Sequence, residues 1–192
     1  MTLSSTPPTD AEKAYFAKTI ENVDRLVRDT ELLIEHDRDR SAIMLAIFAI
    51  EEMGKALITL WGVKNKANKR PFPTHVEKQS ATFALLAALE VFAIKPKKLA
   101  KILAKGPPNF NTMGPMNEQF AFARTGFFDD LRMAVTYADR DPKLKIHEDE
   151  IDVGSPAAVE FLKWLQLAKR GVRNVKAMDL ASTIYENDLG RL

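Results

Sequence analysis

Three short stretches carry polar residues that could do chemistry: Glu51, Glu52 and Lys55 in "AIFAIEEMGKALITLW", His75 and Lys78 in "HVEKQ", and Arg124 and Asp130 in "ARTGFFDD". A charge cluster of this kind, if set in a core, can be a chemical site. The same residues could instead form a structural network. Glu51 and Lys55 share a helix face four residues apart, and an exposed pair of that kind contributes about 0.3 to 0.5 kcal/mol. Buried, each uncompensated charge costs several kcal/mol and needs partners from other helices. Arg124, set among Phe120, Phe122, Phe127 and Phe128, is the best-placed partner. Both readings stay open on the residues alone.

The elements that must position these residues are helical. Thr9 with Glu12 makes a capping box after Pro7-Pro8 and opens a helix from about Asp10 to His36, with apolar residues at helical spacing. A second helix runs from about Ser41 to Trp61 or Gly62. It is apolar around its whole circumference except at Glu51, Glu52 and Lys55, which describes a buried helix with a polar spot. Gly54 inside it costs about 1 kcal/mol relative to alanine, which points to a close approach by another backbone or side chain. After Pro71 and Pro73, Thr74 caps a third helix from about His75 to Phe92. "KKLAKILAK" reads as a short amphipathic helix and "GPPNFNTMGPM" as a loop. A single helix is expected from about Asn117 to Ala138, an acidic loop over 139–154, and one long helix from Ser155 and Pro156 towards Tyr185. The expectation is one all-α domain over 1–192, with the motif-bearing core at about 10–140 and the C-terminal helix at about 155–186.

Composition excludes several classes. The 192 residues suffice for one domain with a sizeable core, and 28% charged and 46% apolar residues are ordinary for a globular protein. With no cysteine, disulfides and thiolate metal sites are impossible, and a reducing compartment is the natural inference. The N-terminus lacks the basic start and apolar stretch of a secretory signal. The apolar run from Ala42 to Trp61 could span a bilayer by length, but each of its ionisable residues would cost about 3 kcal/mol at the centre. A cytoplasmic protein without membrane contact is expected. None of His36, His75 or His147 follows an acidic residue by three positions, so a ferritin-like di-iron bundle has no support, and no cofactor and no metal are expected. No phosphate-binding loop or nucleophile elbow is present.

The net charge of +2 hides an uneven distribution. Lys64, Lys66, Lys69, Arg70, Lys78, Lys95, Lys97, Lys98, Lys101 and Lys105 face only Glu77 and Glu90 in that stretch, a local excess of eight. Such a strip would neutralise phosphates and give salt-dependent RNA binding. A solvated lysine-rich face is the plainer reading.

Taken in order, the three clusters resemble the AbiV family of abortive-infection proteins, an all-helical branch of the HEPN superfamily. The family pattern of Glu-Glu-x-Gly-Lys, then His-x-x-Lys, then Arg-x-Gly-Leu-Tyr-x-Asp falls on Glu51, Glu52, Gly54 and Lys55; on His75 and Lys78; and on Arg124, Gly126, Phe127, Phe128 and Asp130. The match spans about residues 10 to 135. Phe128 replaces the family's tyrosine and removes its hydroxyl. The resemblance implies a HEPN-like bundle of four or five long helices plus short ones, a role in phage defence, and a homodimer. It also implies a metal-independent ribonuclease in which a histidine acts as general acid or base and an arginine stabilises developing charge. The superfamily spacing of arginine, four to six residues, then histidine fits Arg70 and His75. On this reading His75, Arg124, Glu52, Lys55 and Arg70 are the catalytic candidates, with Glu51, Lys78, Asp130 and Lys69 supporting the site or binding RNA. The alternative is a non-enzymatic module that binds a phage or host protein, with the charged cluster purely structural.

Overall fold

The computed structural model describes residues 8–62, 72–93, 115–136 and 155–189. These form seven helices and no strand: α1 (Asp10–Glu35), α2 (Asp39–Trp61), α3 (His75–Ala93), α4 (Pro115–Thr125), α5 (Phe127–Thr136), α6 (Ser155–Gly171) and α7 (Val175–Leu189). The all-α expectation holds. No helix among the described residues is long and apolar enough to cross a membrane.

Local chemistry starts and stops the helices that carry the site. Thr9 caps α1 in a reciprocal box: its hydroxyl accepts from the Glu12 N–H at 3.2 Å while the Glu12 carboxylate accepts from the Thr9 N–H at 2.7 Å. The α1–α2 turn places Asp37 at φ 54, a conformation aspartate tolerates better than most residues. Gly62 ends α2 in the left-handed region at φ 63. A second reciprocal box opens α3, with the Thr74 N–H donating to Glu77 at 2.6 Å and the Glu77 N–H donating to the Thr74 hydroxyl at 3.2 Å. This box fixes the first turn of α3, where His75 sits.

α3 is the central helix and packs against α2, α4, α5, α6 and α7, while α1 covers the other side of α2. Its side chains from Gln79 to Ala88 are all buried, which fits its apolar circumference. Beside it lies an aromatic cluster. Phe128 stacks on Phe83 at 4.7 Å between ring centroids, with Phe161 and Trp164 edge-on to Phe128 at 5.7 and 6.3 Å. Such aromatic pairs add about 0.5 to 1.5 kcal/mol each beyond their buried area.

Two expected continuous helices are broken. The helix expected over Asn117 to Ala138 starts at Pro115 and divides at Gly126, whose φ of 84 suits glycine. The long C-terminal helix divides after Gly171. A Cβ there would lie 2.3 Å from the Leu89 Cδ1, and Asn174 then opens α7 by accepting from the Ala177 N–H at 3.2 Å. The expected "KKLAKILAK" helix, the "GPPNFNTMGPM" loop up to residue 114 and the acidic loop lie outside the described residues.

Tyr185 on α7 shows how deeply this last helix docks. The residue is buried and rests on Trp61 at 5.7 Å between centroids. Burial, reinforced by the negative charge of Glu77, holds its phenol far above the ordinary 10.0. An unfolded chain would release this proton near pH 10 while the folded protein keeps it, so stability falls as pH rises above that point. The melting temperature should therefore drop more steeply above pH 10 in the parent protein than in Tyr185→Phe. The removed slope is up to about 1.4 kcal/mol per pH unit.

Candidate functional site

The first two clusters meet where α2 and α3 pack, and α5 adds a carboxylate beside them. Gly54 makes the first contact possible, because a Cβ at this position would lie 1.7 Å from the carbonyl oxygen of Lys78. The α2 and α3 backbones thus touch where glycine was expected to mark a close approach. Four residues along each helix, the Thr82 hydroxyl donates to the Ile50 carbonyl at 2.7 Å and fixes the register. Gly126 brings in the third cluster: its virtual Cβ lies 3.7 Å from the Val76 side chain, next to His75.

Glu51 is the hub. Its side chain is 6% exposed, and its carboxylate accepts from His75 Nδ1 at 2.7 Å, Lys78 Nζ at 3.4 Å and Gln79 Nε2 at 3.0 Å. Three donors from one turn of α3 satisfy a charge that burial alone would make costly. Because an ionised carboxylate only accepts, Nδ1 is the protonated nitrogen when the ring is neutral, and Nε2 carries the lone pair. With 48% of its side chain exposed, His75 is open to a substrate while its other edge is anchored.

Glu52 and Lys55 form a separate pair. Lys55 was expected to share a face with Glu51, but its ammonium donates to Glu52 at 2.7 Å. Glu52 also accepts from Asn22 of α1 at 3.2 Å, and Lys55 lies 5.9 Å from the centroid of the Tyr15 ring. The cause is helical phase: adjacent residues on a helix point about 100° apart, so Glu51 faces α3 and Glu52 faces α1. Partial burial pulls the Lys55 ammonium down in pKa, but the hydrogen bond and charge of Glu52, with Tyr15, outweigh it and hold the group above its ordinary value. Glu52 is about a quarter exposed, so Glu52→Gln should lower stability by no more than about 1 kcal/mol in thermal melts.

On α5 the carboxylate grouped with Glu51 and His75 is Asp129, the neighbour of the expected Asp130. Asp129, Glu51 and His75 each present a ligand-type atom within 4.8 Å of the others. α5 starts afresh at Gly126, and both the Asp129 and Asp130 N–H groups donate to the Gly126 carbonyl at 3.0 Å. Asp129 is held by Arg132 at 2.6 Å, whose guanidinium lies over the Phe48 ring at 5.8 Å. Arg124, expected to partner the Glu51 cluster, is half-buried at the end of α4 and is not among the donors to Glu51 or Glu52. Phe128 is 1% exposed within the aromatic cluster. Arg70 and Lys69 lie outside the described residues, as does most of the basic strip, of which Lys78 is described.

Sequence reasoning missed Asn22, Gln79, Asp129 and Arg132. Gln79 had a readable signal, standing four residues after His75 and thus on its face of the helix. Asp129 had none, because the family pattern falls on Asp130 instead.

The arrangement can anchor an imidazole through a buried carboxylate and offer its second nitrogen to a ligand, with the cations Lys78 and Arg132 close by. Neither the curated proteins nor the solved structures give a match to this chain. The family model for AbiV, within the HEPN group, matches residues 12–167. That span covers all three clusters and six of the seven helices, up to most of α6. The chain therefore belongs to the AbiV family of the HEPN superfamily.

Proposed function

We propose that the protein is an abortive-infection effector that cleaves RNA without a metal ion, with His75 as the general acid–base. One observation carries the reading: a buried carboxylate, Glu51, holds Nδ1 of a half-exposed histidine at 2.7 Å, so Nε2 is not the nitrogen that this bond engages. Nε2 takes the proton of an RNA 2'-hydroxyl, and the 2'-oxygen attacks the adjacent phosphorus. The bond from phosphorus to the 5'-oxygen breaks, and the imidazolium returns its proton to that leaving oxygen. The products are a 2',3'-cyclic phosphate and a 5'-hydroxyl. Lys78 and Arg124 are proposed to stabilise charge on the phosphate, and Lys69 and Arg70 to bind the strand leading to His75. Glu52 and Lys55 hold α2 on α1 and act at a distance from the substrate. The working unit in this reading is a homodimer in the cytoplasm.

The test is to incubate purified protein with total RNA in the presence of a chelator. The parent protein should generate cyclic-phosphate ends, and His75→Ala should be slower by about 10² to 10⁴-fold with its melting temperature retained. Intact RNA in both reactions would sink the nuclease reading.

A second reading has its own support. All three donors to Glu51 come from the neighbouring helix, as they would in a clamp that only fixes register. The protein would then be a non-enzymatic module that binds a phage or host protein. In that case His75→Ala would leave phage resistance intact.

A further inference from the structure

We infer that Glu51, His75 and Asp129 form a binding site for a borderline divalent transition ion of the zinc class. The three residues come from α2, α3 and α5, and their ligand-type atoms all lie within 4.8 Å of one another. Ligands about 2.0 to 2.2 Å from a common Zn²⁺ stand roughly 3 to 4 Å apart, so side-chain shifts of up to about 1 to 2 Å close the set. One imidazole and two carboxylates, with room for water on the exposed His75 side, make a three-ligand open site. The mixed nitrogen and oxygen set favours Zn²⁺ or Co²⁺ over Mg²⁺, which prefers oxygen ligands and a near-ideal octahedron.

The surrounding bonds leave the required atoms available and hold the carboxylates in place. Gln79 occupies Oε1 of Glu51, while Oε2 is the oxygen that His75 Nδ1 approaches. Arg132 binds Oδ1 of Asp129 through both Nε and Nη2, at 3.2 and 2.6 Å, which leaves Oδ2 for a ligand. Hydrogen bonds of this kind commonly orient metal-binding side chains. Two cations oppose an ion there, Lys78 at 3.4 Å from Oε2 and Arg132 on Asp129; the flexible lysine chain can withdraw towards solvent, and the guanidinium binds Oδ1 and not Oδ2. Binding of the ion at Nδ1 would move the single proton of the neutral ring from Nδ1 to Nε2. Nε2 could then no longer accept a proton, so occupancy would block RNA cleavage; this consequence rests on the function proposed above.

Isothermal titration of the metal-free full-length protein with Zn²⁺ tests the site without using RNA. One site per chain in the micromolar range is expected, with affinity at least tenfold weaker in Asp129→Asn and in His75→Gln and unchanged in His36→Gln. Co²⁺ should give a visible absorption band in the parent protein that disappears in Asp129→Asn. Both site variants alter partly exposed side chains, so folding is expected to survive, and circular dichroism checks it. Equal Zn²⁺ affinity in the parent, Asp129→Asn and His75→Gln, or no Zn²⁺ binding, would overturn the inference. A protein that binds Zn²⁺ but leaves RNA intact in chelator contradicts only the nuclease reading. One that cleaves RNA in chelator and ignores Zn²⁺ contradicts only the metal site.

Discussion

Gly54→Ala is expected to destabilise the protein by more than about 3 kcal/mol, beyond the usual range for overpacking, because the clash is with backbone. The added carbon would lie 1.7 Å from the Lys78 oxygen, 2.4 Å from its carbonyl carbon and 2.9 Å from its Cα. None of these atoms can rotate away. Relief requires α3 to move off α2, which would stretch the 2.7 Å bond from Thr82 to the Ile50 carbonyl. At about 2 to 4 °C per kcal/mol for a domain of this size, the melting temperature should fall by roughly 6 to 12 °C. Gly62→Ala provides the comparison. It meets no atom within 4 Å and carries only the strain of φ 63, so it should cost about 1 kcal/mol. Equal melting temperatures for the two variants would show that α2 and α3 do not touch at Gly54.

Glu51→Ala should cost about 3 to 5 kcal/mol, the usual penalty for removing one side of a buried charged network. Gln79, fully buried, would lose the acceptor of its amide, and Lys78, with 17% of its side chain exposed, would lose its counter-charge. Chemical denaturation measures the loss. Glu51→Gln preserves volume and one acceptor oxygen and should cost far less. Its amide nitrogen, though, can place a donor opposite Nδ1 of His75, where the carboxylate placed an acceptor. Glu51→Gln thus separates holding the fold together from holding the imidazole. A near-normal melting temperature with lost RNA cleavage is the outcome expected of the acid–base role.

Much of this arrangement was legible in the chain because each helix agrees with its own local signals. The capping boxes at Thr9 and Thr74 mark real helix starts, and the charge-spotted apolar stretch around Gly54 is a buried helix in backbone contact with α3. The failures share a physical cause. Gly126 and Gly171 sit inside apolar-periodic runs without a nearby proline, so periodicity carries straight through both breaks. What decides them is tertiary: the positive φ of Gly126 beside Val76, and the packing of Leu89 against Gly171. Pairing within α2 was misassigned for a related reason. Spacing allows Glu51–Lys55 and Glu52–Lys55 alike, and only the positions of α1 and α3 select the second. The grouping of Glu51, His75 and Asp129 lies beyond any local spacing rule, since its members stand 24 and 54 residues apart on three helices.

The hydrogen bond between Glu51 and His75 can be read directly from the ¹⁵N shifts of the His75 ring in histidine-labelled protein, recorded with the ring neutral. The geometry predicts a proton on Nδ1 and a lone pair on Nε2 in the parent protein, with that preference lost in Glu51→Gln. A proton resident on Nε2 in the parent protein, or a pattern unchanged by Glu51→Gln, would contradict the claim that a buried carboxylate holds His75 ready to accept a proton.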